Sequence, residues 1–148
     1  KYVSQKLVIN QLQMSIVHCP AVDSGLAVNM NIDQSINREG SILEYSRLKD
    51  MTLQAWSPFQ KGYFEGVFLN DREKYAKLND MIDELAQKYG VTNTAIAVAW
   101  LTRHPANMQV VLGTTNVNRV KDAVKGSDLC LTRQEWYGLY AASGKMIP

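Results

Sequence analysis

Cysteine is scarce in this chain, and the two present, Cys19 and Cys130, lie far apart and without metal-ligand spacing. That excludes a cysteine-built metal site, and the pair reads as reduced thiols of a cytoplasmic protein. Charge of one sign is also lacking. Sixteen lysines and arginines face 14 acidic residues, with no basic block, so nucleic-acid binding has no support. No apolar run is long enough to span a bilayer, and Lys1–Lys6 does not read as a signal peptide. Repeats and low-complexity linkers are missing too, which leaves one domain. What is present suits that domain: 148 residues, 46% of them hydrophobic, can bury a substantial core.

The most informative stretch runs from Gln109 to Val124. A strand-like segment, Gln109–Leu112, is broken by Gly113. Thr114, Thr115 and Asn116 follow, and a helical pattern then places Val117, Val120, Ala123 and Val124 on one face. Glycine lets backbone N–H groups approach a ligand, and Thr115 or Asn116 can cap the helix. The helix N-terminus carries roughly half a positive charge. Arg119, one turn in, points back toward the loop. Two readings stand: an anion site, most simply for phosphate, or an ordinary strand-to-helix turn with a surface arginine.

In chain order, Lys1–Lys6 reads as the end of a helix, and Leu7–Ser15 as a strand. Asn10 and Gln11 carry amides that need partners if buried, either a ligand amide or a hydrogen-bonded sheet end. His18 to Asn37 reads as a long polar loop. The adjacent His18 and Cys19 do not make a nucleophile pair, because neighbouring side chains in an extended segment point apart. A short helix is expected over Gly40–Lys49, with Ile42, Leu43, Ser46 and Leu48 on its apolar face. A strand over Met51–Ala55 exits at Trp56-Ser57-Pro58-Phe59, where proline ends the pairing. Trp56 and Ser57 there offer a stacking surface and a hydroxyl, or else a core tryptophan beside a turn serine.

A glycine-containing loop, Gln60 to Asn70, precedes a helix over Arg72–Tyr89 that is stopped by Gly90. Thr92 caps an alanine-rich helix, Asn93–Arg103, ended by His104-Pro105. Thr132 caps a last helix, Arg133–Ala142, with Trp136, Leu139 and Tyr140 turned inward. Strands alternating with helices imply an α/β fold with a parallel sheet of three strands.

Five segments then carry a resemblance: I-N-Q-L-Q-M-S at 9–15, Q-A-W-S-P-F at 54–59, A-V-A-W-L-T-R-H-P at 97–105, V-L-G-T-T-N-V-N-R at 111–119 and L-T-R-Q-E-W-Y at 131–137. In this order and spacing they resemble the C-terminal half of an aldo/keto reductase, the NAD(P)H-dependent (β/α)8-barrel family. The resemblance covers essentially all of residues 1–148, as a single partial domain. It implies the C-terminal part of a TIM barrel, three parallel strands with flanking helices, in the positions of strands six, seven and eight.

By the same resemblance, Gln11 pairs with the nicotinamide carboxamide and Trp56 stacks on the nicotinamide ring. Ser57, Pro58, Phe59 and Gln60 run along the pyrophosphate. Gly113, Thr114, Thr115 and Arg119 serve the adenosine ribose and its phosphate, and Asp122 meets the adenine amino group. The implied cofactor is NADP, with NAD open, since the lysine and asparagine common in the family are replaced by Gly113 and Ala123. The implied partners are a small carbonyl substrate and the N-terminal half of the barrel, or a self-association partner in its place. No metal is implied. The family's catalytic aspartate, tyrosine, lysine and histidine belong to that other half, so the chain holds no catalytic residue and is expected to be inactive alone. A non-catalytic binding or regulatory subunit on the same scaffold is the rival reading.

Overall fold

The computed structural model describes residues 3–148. Three strands, β1 (Ile9–Gln13), β2 (Thr52–Trp56) and β3 (Met108–Val111), form one parallel sheet in sequence order. Between them lie α1 (Pro20–Leu26), a short 3-10 turn (Asp33–Ser35), α2 (Ile42–Leu48), α3 (Ala76–Tyr89) and α4 (Asn93–Thr102). After β3 come α5 (Val117–Ser127) and α6 (Arg133–Ala142). Among the described residues, β1 and β3 each keep one edge without a strand partner.

Side chains alternate across a strand, so the sheet has two unlike faces. Leu53 and Ala55 of β2 are buried, and the core they join extends through Ile96, Ala97, Trp100, Leu101, Leu131 and Leu139 of the helical layer. Thr52, Gln54 and Trp56 point the other way and are half-exposed. α4 is buried along most of its length, as its run of alanines permits. It is locked to α6 by two reciprocal bonds: Trp100 Nε1 donates to the Trp136 carbonyl (3.1 Å), and Trp136 Nε1 to the Trp100 carbonyl (2.9 Å). The indoles stack at 4.8 Å. Each buried indole N–H is thereby satisfied, as burial requires.

The helix ends follow their sequence signals. Thr92 accepts from the Ala95 N–H, and Gly90 closes α3 with φ of 64°. Thr132 and Glu135 form a capping box. Glu135, 8% exposed, also accepts from Lys88 Nζ (2.6 Å) and the Tyr89 hydroxyl.

Five expectations need correction. Val3–Lys6 is bent and exposed rather than helical, while Lys1 and Tyr2 lie outside the described residues. The stretch from His18 to Asn37 is not a plain loop. It holds α1, started by Pro20 and fastened by Asp23, which accepts from the Tyr140 hydroxyl (2.9 Å) and from Lys145 (3.0 Å). The helix expected from Arg72 begins at Ala76, because buried Asn79 bonds the Phe68, Asp71 and Tyr75 carbonyls and holds the preceding turn. In α5, Val117 and Val124 are exposed, whereas Ala123 and Gly126 face α4. The contact is so close that a Cβ on Gly126 would lie 2.3 Å from the Ala95 carbonyl oxygen. In α2 likewise, Leu48 is exposed and only Leu43 and Ser46 are buried.

Candidate functional site

Parallel register puts Gln11 and Trp56 on one face of the sheet, and the other sequence-predicted residues follow on the loops leaving β2 and β3 and on the first turns of α5. Gln11 stands opposite Gln54, which stands opposite Gln109. Their amides form a directional row: Gln11 Nε2 donates to Gln54 Oε1 (2.7 Å), and Gln54 Nε2 to Gln109 Oε1 (3.0 Å). The Gln11 amide nitrogen is thus occupied within the sheet, while its Oε1 has no partner among the described residues. Two residues further along each strand, Gln13, Trp56 and Val111 share a level at the C-terminal edge.

The exit of β2 is a constrained turn. Ser57 adopts φ of 50°, the left-handed region, and Gln60 N–H donates to its carbonyl (3.1 Å). Pro58 is buried, and Phe59 and Gln60 are half-buried. Ser15, fully buried after β1, donates its hydroxyl to the Gln60 carbonyl (2.7 Å) and accepts the His18 N–H. It therefore ties the β1 exit to the β2 exit. Sequence reasoning passed over Ser15, although a lone serine between Met14 and Ile16 was a signal.

A narrow hairpin-like loop follows. Lys61 N–H donates to the Gly66 carbonyl and Phe68 N–H to the Phe59 carbonyl. Its base is held by the 2.5 Å Lys61–Asp71 ion pair. Hydrogen bonding to each other raises the Lys61 ammonium and lowers the Asp71 carboxyl from their ordinary values. The tip carries Tyr63 and Phe64, and the Tyr63 ring meets Trp56 edge-on at 6.4 Å. Phe64 is 84% exposed. These aromatics too were not singled out from sequence.

At the β3 exit, Gly113 has φ of 63°, and a Cβ there would meet nothing within 4 Å. Its glycine is required by the backbone conformation rather than by crowding. Thr114 Oγ1 accepts the Asn116 N–H, and Asn116, the N-cap, accepts from Asn118 (3.0 Å) and Arg119 (3.2 Å). Two first-turn donors of α5 are thus already satisfied by the cap. Arg119 is exposed, with no side-chain partner among the described residues, and half-buried Asp122 stands about one turn beyond.

His18 and Cys19 are not part of this edge's chemistry. Burial pushes the Cys19 thiol up to about 12, so it is protonated near neutrality and is no nucleophile. Lys145 lies 2.6 Å from its sulfur. Burial, then Lys145, lower the His18 pKa. Both cysteines are free thiols, Cys19 buried and Cys130 exposed. The described residues contain no cluster placed to hold a metal ion, and no helix long and apolar enough to cross a membrane.

Two cavities exist elsewhere. One, of about 400 Å³, runs along the open side of β3 beside α5, lined by Val98, Met108, Val110, Leu112, Ala123 and Val124 among others. The second lies between the end of α4 and α6. Neither borders Gln11, Trp56 or Gly113.

Parallel strands with helices on one face, and candidate ligand groups gathered at the strands' C-terminal ends, define part of an α/β barrel. Residues 4–142 match the sequence profile of the Aldo/keto reductase family. The chain is 31% identical over 147 residues to a 6-dehydroglucose reductase of Agrobacterium fabrum, covering 98% of this chain and 42% of that protein. It is 28% identical over 144 residues to the oxidoreductase YdhF of Escherichia coli, covering 96% of this chain and 41% of that one. The chain belongs to the aldo/keto reductase family.

It spans well under half the length of these curated relatives. A thermostable aldo-keto reductase, solved with the inhibitor epalrestat, superimposes with a TM-score of 0.62 at 20% identity, over 94% of this chain and 41% of that one. That likeness is one of fold, and it makes the three strands part of a TIM barrel.

Proposed function

We propose that this chain forms the nicotinamide-binding part of an oxidoreductase that reduces a small aldehyde or ketone, the rest of the barrel being supplied by further residues. The observation that carries the reading is the shared C-terminal edge: Trp56, the left-handed Ser57 turn and the Gly113–Asn116 loop stand side by side, above the glutamine row. The residues fit a dinucleotide. Gln11 keeps Oε1 open to accept from a carboxamide N–H, and Trp56 offers a half-exposed ring for stacking. Backbone along Ser57–Gln60 borders the pyrophosphate. Gly113, Thr114 and Thr115 give an open approach, and Arg119, without a side-chain partner among the described residues, suits a 2′-phosphate, which makes NADP the favoured cofactor. In this reading Asp122, half-buried about one turn beyond Arg119, meets the adenine amino group.

The bound cofactor supplies the hydride. This chain's residues orient it: the Trp56 face fixes the ring plane, Tyr63 abuts that indole, and Gln11 sets its rotation. Proton delivery to the carbonyl oxygen falls to residues outside this chain, so the chain alone is inactive.

The test is fluorescence. NADPH added to the intact reductase should quench tryptophan emission, and Trp56→Ala should remove most of that change. A quench that persists in the variant would point to Trp100 or Trp136 and return Trp56 to a packing role. Because two relatives are 6-dehydroglucose reductases, an oxidised hexose is the first carbonyl to assay.

A further inference from the structure

Remote from the glutamine row, the turn after α4 and the first turns of α6 border an open-mouthed cavity of about 380 Å³. Its wall is unusual in charge. Arg103 is fixed by its Nε, which donates to the Leu131 carbonyl (2.8 Å), leaving its terminal nitrogens without a partner among the described residues. Arg133 rests against the Tyr137 ring, 6.0 Å from its centre. Neither guanidinium has a carboxylate within ion-pair range among the described residues. Glu135, the nearest acid in sequence to Arg133, is held by Lys88, Tyr89 and the Thr132 backbone.

His104 adds a neutral donor. Its Nδ1 accepts the Ala106 N–H (3.2 Å), so the ring hydrogen sits on Nε2. Burial, with help from Arg47, lowers its pKa to about 4, which keeps the imidazole uncharged at neutral pH. The remaining wall is apolar and aromatic: Pro105, Trp136 and Tyr137, the last two rings edge-on at 5.0 Å.

Arg103 and Arg133, both exposed, give the mouth of this cavity two guanidinium groups that no carboxylate neutralises among the described residues, a setting that favours an anion. A carboxylate matches the planar fork of an arginine, and a flat ring matches the aromatic wall. The volume falls within the roughly 300–1,000 Å³ of small-molecule sites. We infer that this cavity binds a small aromatic carboxylate, its carboxylate on Arg103 and Arg133 and its ring against Trp136 and Tyr137. The site stands apart from the cofactor edge and does not depend on the reading of that edge.

Isothermal titration of the full chain with 2-naphthoate, and with its uncharged analogue 2-naphthamide, tests the assignment. The acid should bind saturably, and the amide about tenfold or more weakly, from loss of the charge-assisted bonds. Arg103→Gln and Arg133→Gln should each weaken the acid about tenfold, their folding checked by circular dichroism. Arg103→Lys, which keeps the charge, should bind better than Arg103→Gln. Lys125→Gln, an exposed cation at the end of α5 outside both sites, should change nothing. Equal affinity for acid and amide, or unchanged binding in folded arginine variants, would overturn the inference. Displacement of the naphthoate by NADPH would move the ligand to the cofactor edge and overturn the inference. Inorganic phosphate displacing the naphthoate at equal concentration would refute the aromatic half of the assignment.

Discussion

Replacing Gly126 by alanine would drive a methyl group into the backbone of α4. The new Cβ would lie 2.3 Å from the Ala95 carbonyl oxygen and 2.9 Å from the Ala95 Cα and carbonyl carbon. Those atoms belong to a buried helix and cannot rotate away, so α5 must retreat by about an ångström to restore normal contact distances. Overpacking of this kind costs about 1–3 kcal/mol, and alanine's better helix propensity returns about 1 kcal/mol, leaving a net loss of up to about 2 kcal/mol. For a domain of this size that lowers Tm by up to about 8 °C.

Gly138→Ala is the matched control. Its Cβ would meet only the Met81 thioether, at 2.4 Å to Cε and 3.2 Å to Sδ, the far end of a flexible side chain. The propensity gain should then dominate, and stability should hold or rise by up to about 1 kcal/mol. Urea unfolding of both variants beside the parent, followed by circular dichroism, reads the difference. A Gly126→Ala protein as stable as Gly138→Ala would refute the close-contact argument and the placement of α5 on α4. Because α5 begins at the Asn116 cap and carries Arg119 and Asp122, the same displacement should also weaken cofactor binding.

Three further outcomes are expected. Arg119→Ala in the intact reductase should weaken NADPH much more than NADH, by about 1.5–3 kcal/mol for a bond to a charged group, and equal losses for both would remove Arg119 from the phosphate. Glu135 is desolvated by burial, yet Lys88, the Thr132 N–H and the Tyr89 hydroxyl outweigh that and hold its pKa down to about 2. A depressed folded pKa stabilises above the ordinary carboxylate value and fades as pH falls toward 2, so Glu135→Gln should flatten the acid limb of stability between about pH 4.5 and 2; a limb as steep as the parent's would show that another carboxylate governs it. The 148-residue chain on its own should self-associate, because Leu7, Val8 and Ile9 are exposed beside an unpaired β1 edge, and sedimentation as a compact monomer would contradict this.

The helices that declare themselves in sequence carry their own ends. Thr92, the Thr132–Glu135 box and Gly90 need only neighbours within one turn. α1 does not, since Asp23, Ser24 and Gly25 are residues that locally favour turns. Its anchor, the Tyr140 hydroxyl, comes from 117 residues away, and no local pattern encodes that. The valines of α5 misled for a related reason. Periodicity finds an apolar stripe, but Gly126 contributes no hydrophobicity to it, although it makes the closest approach to α4. Strand exits at Trp56 and Gly113 were legible because proline and glycine mark them. The pairing of Gln11 with Gln54 was not, because it exists only once the strands have found their register.

That row of amides has a consequence for folding. A slip of β1 by one residue would set Gln11 against Leu53 or Ala55, side chains committed to the opposite face, and bury a polar row in the helical layer. A slip by two keeps sidedness, which hydrophobicity alone cannot distinguish from the native alignment. The slip that places Gln11 beside Trp56 would leave Gln54 facing Ile9 and forfeit the amide bond, worth about 0.5–1.5 kcal/mol, whereas the opposite slip would bring Gln13 beside Gln54 in its place. The glutamines thus act as a one-sided stop for assembly: burial selects the odd or even setting, and the amides disfavour one of the two nearest notches.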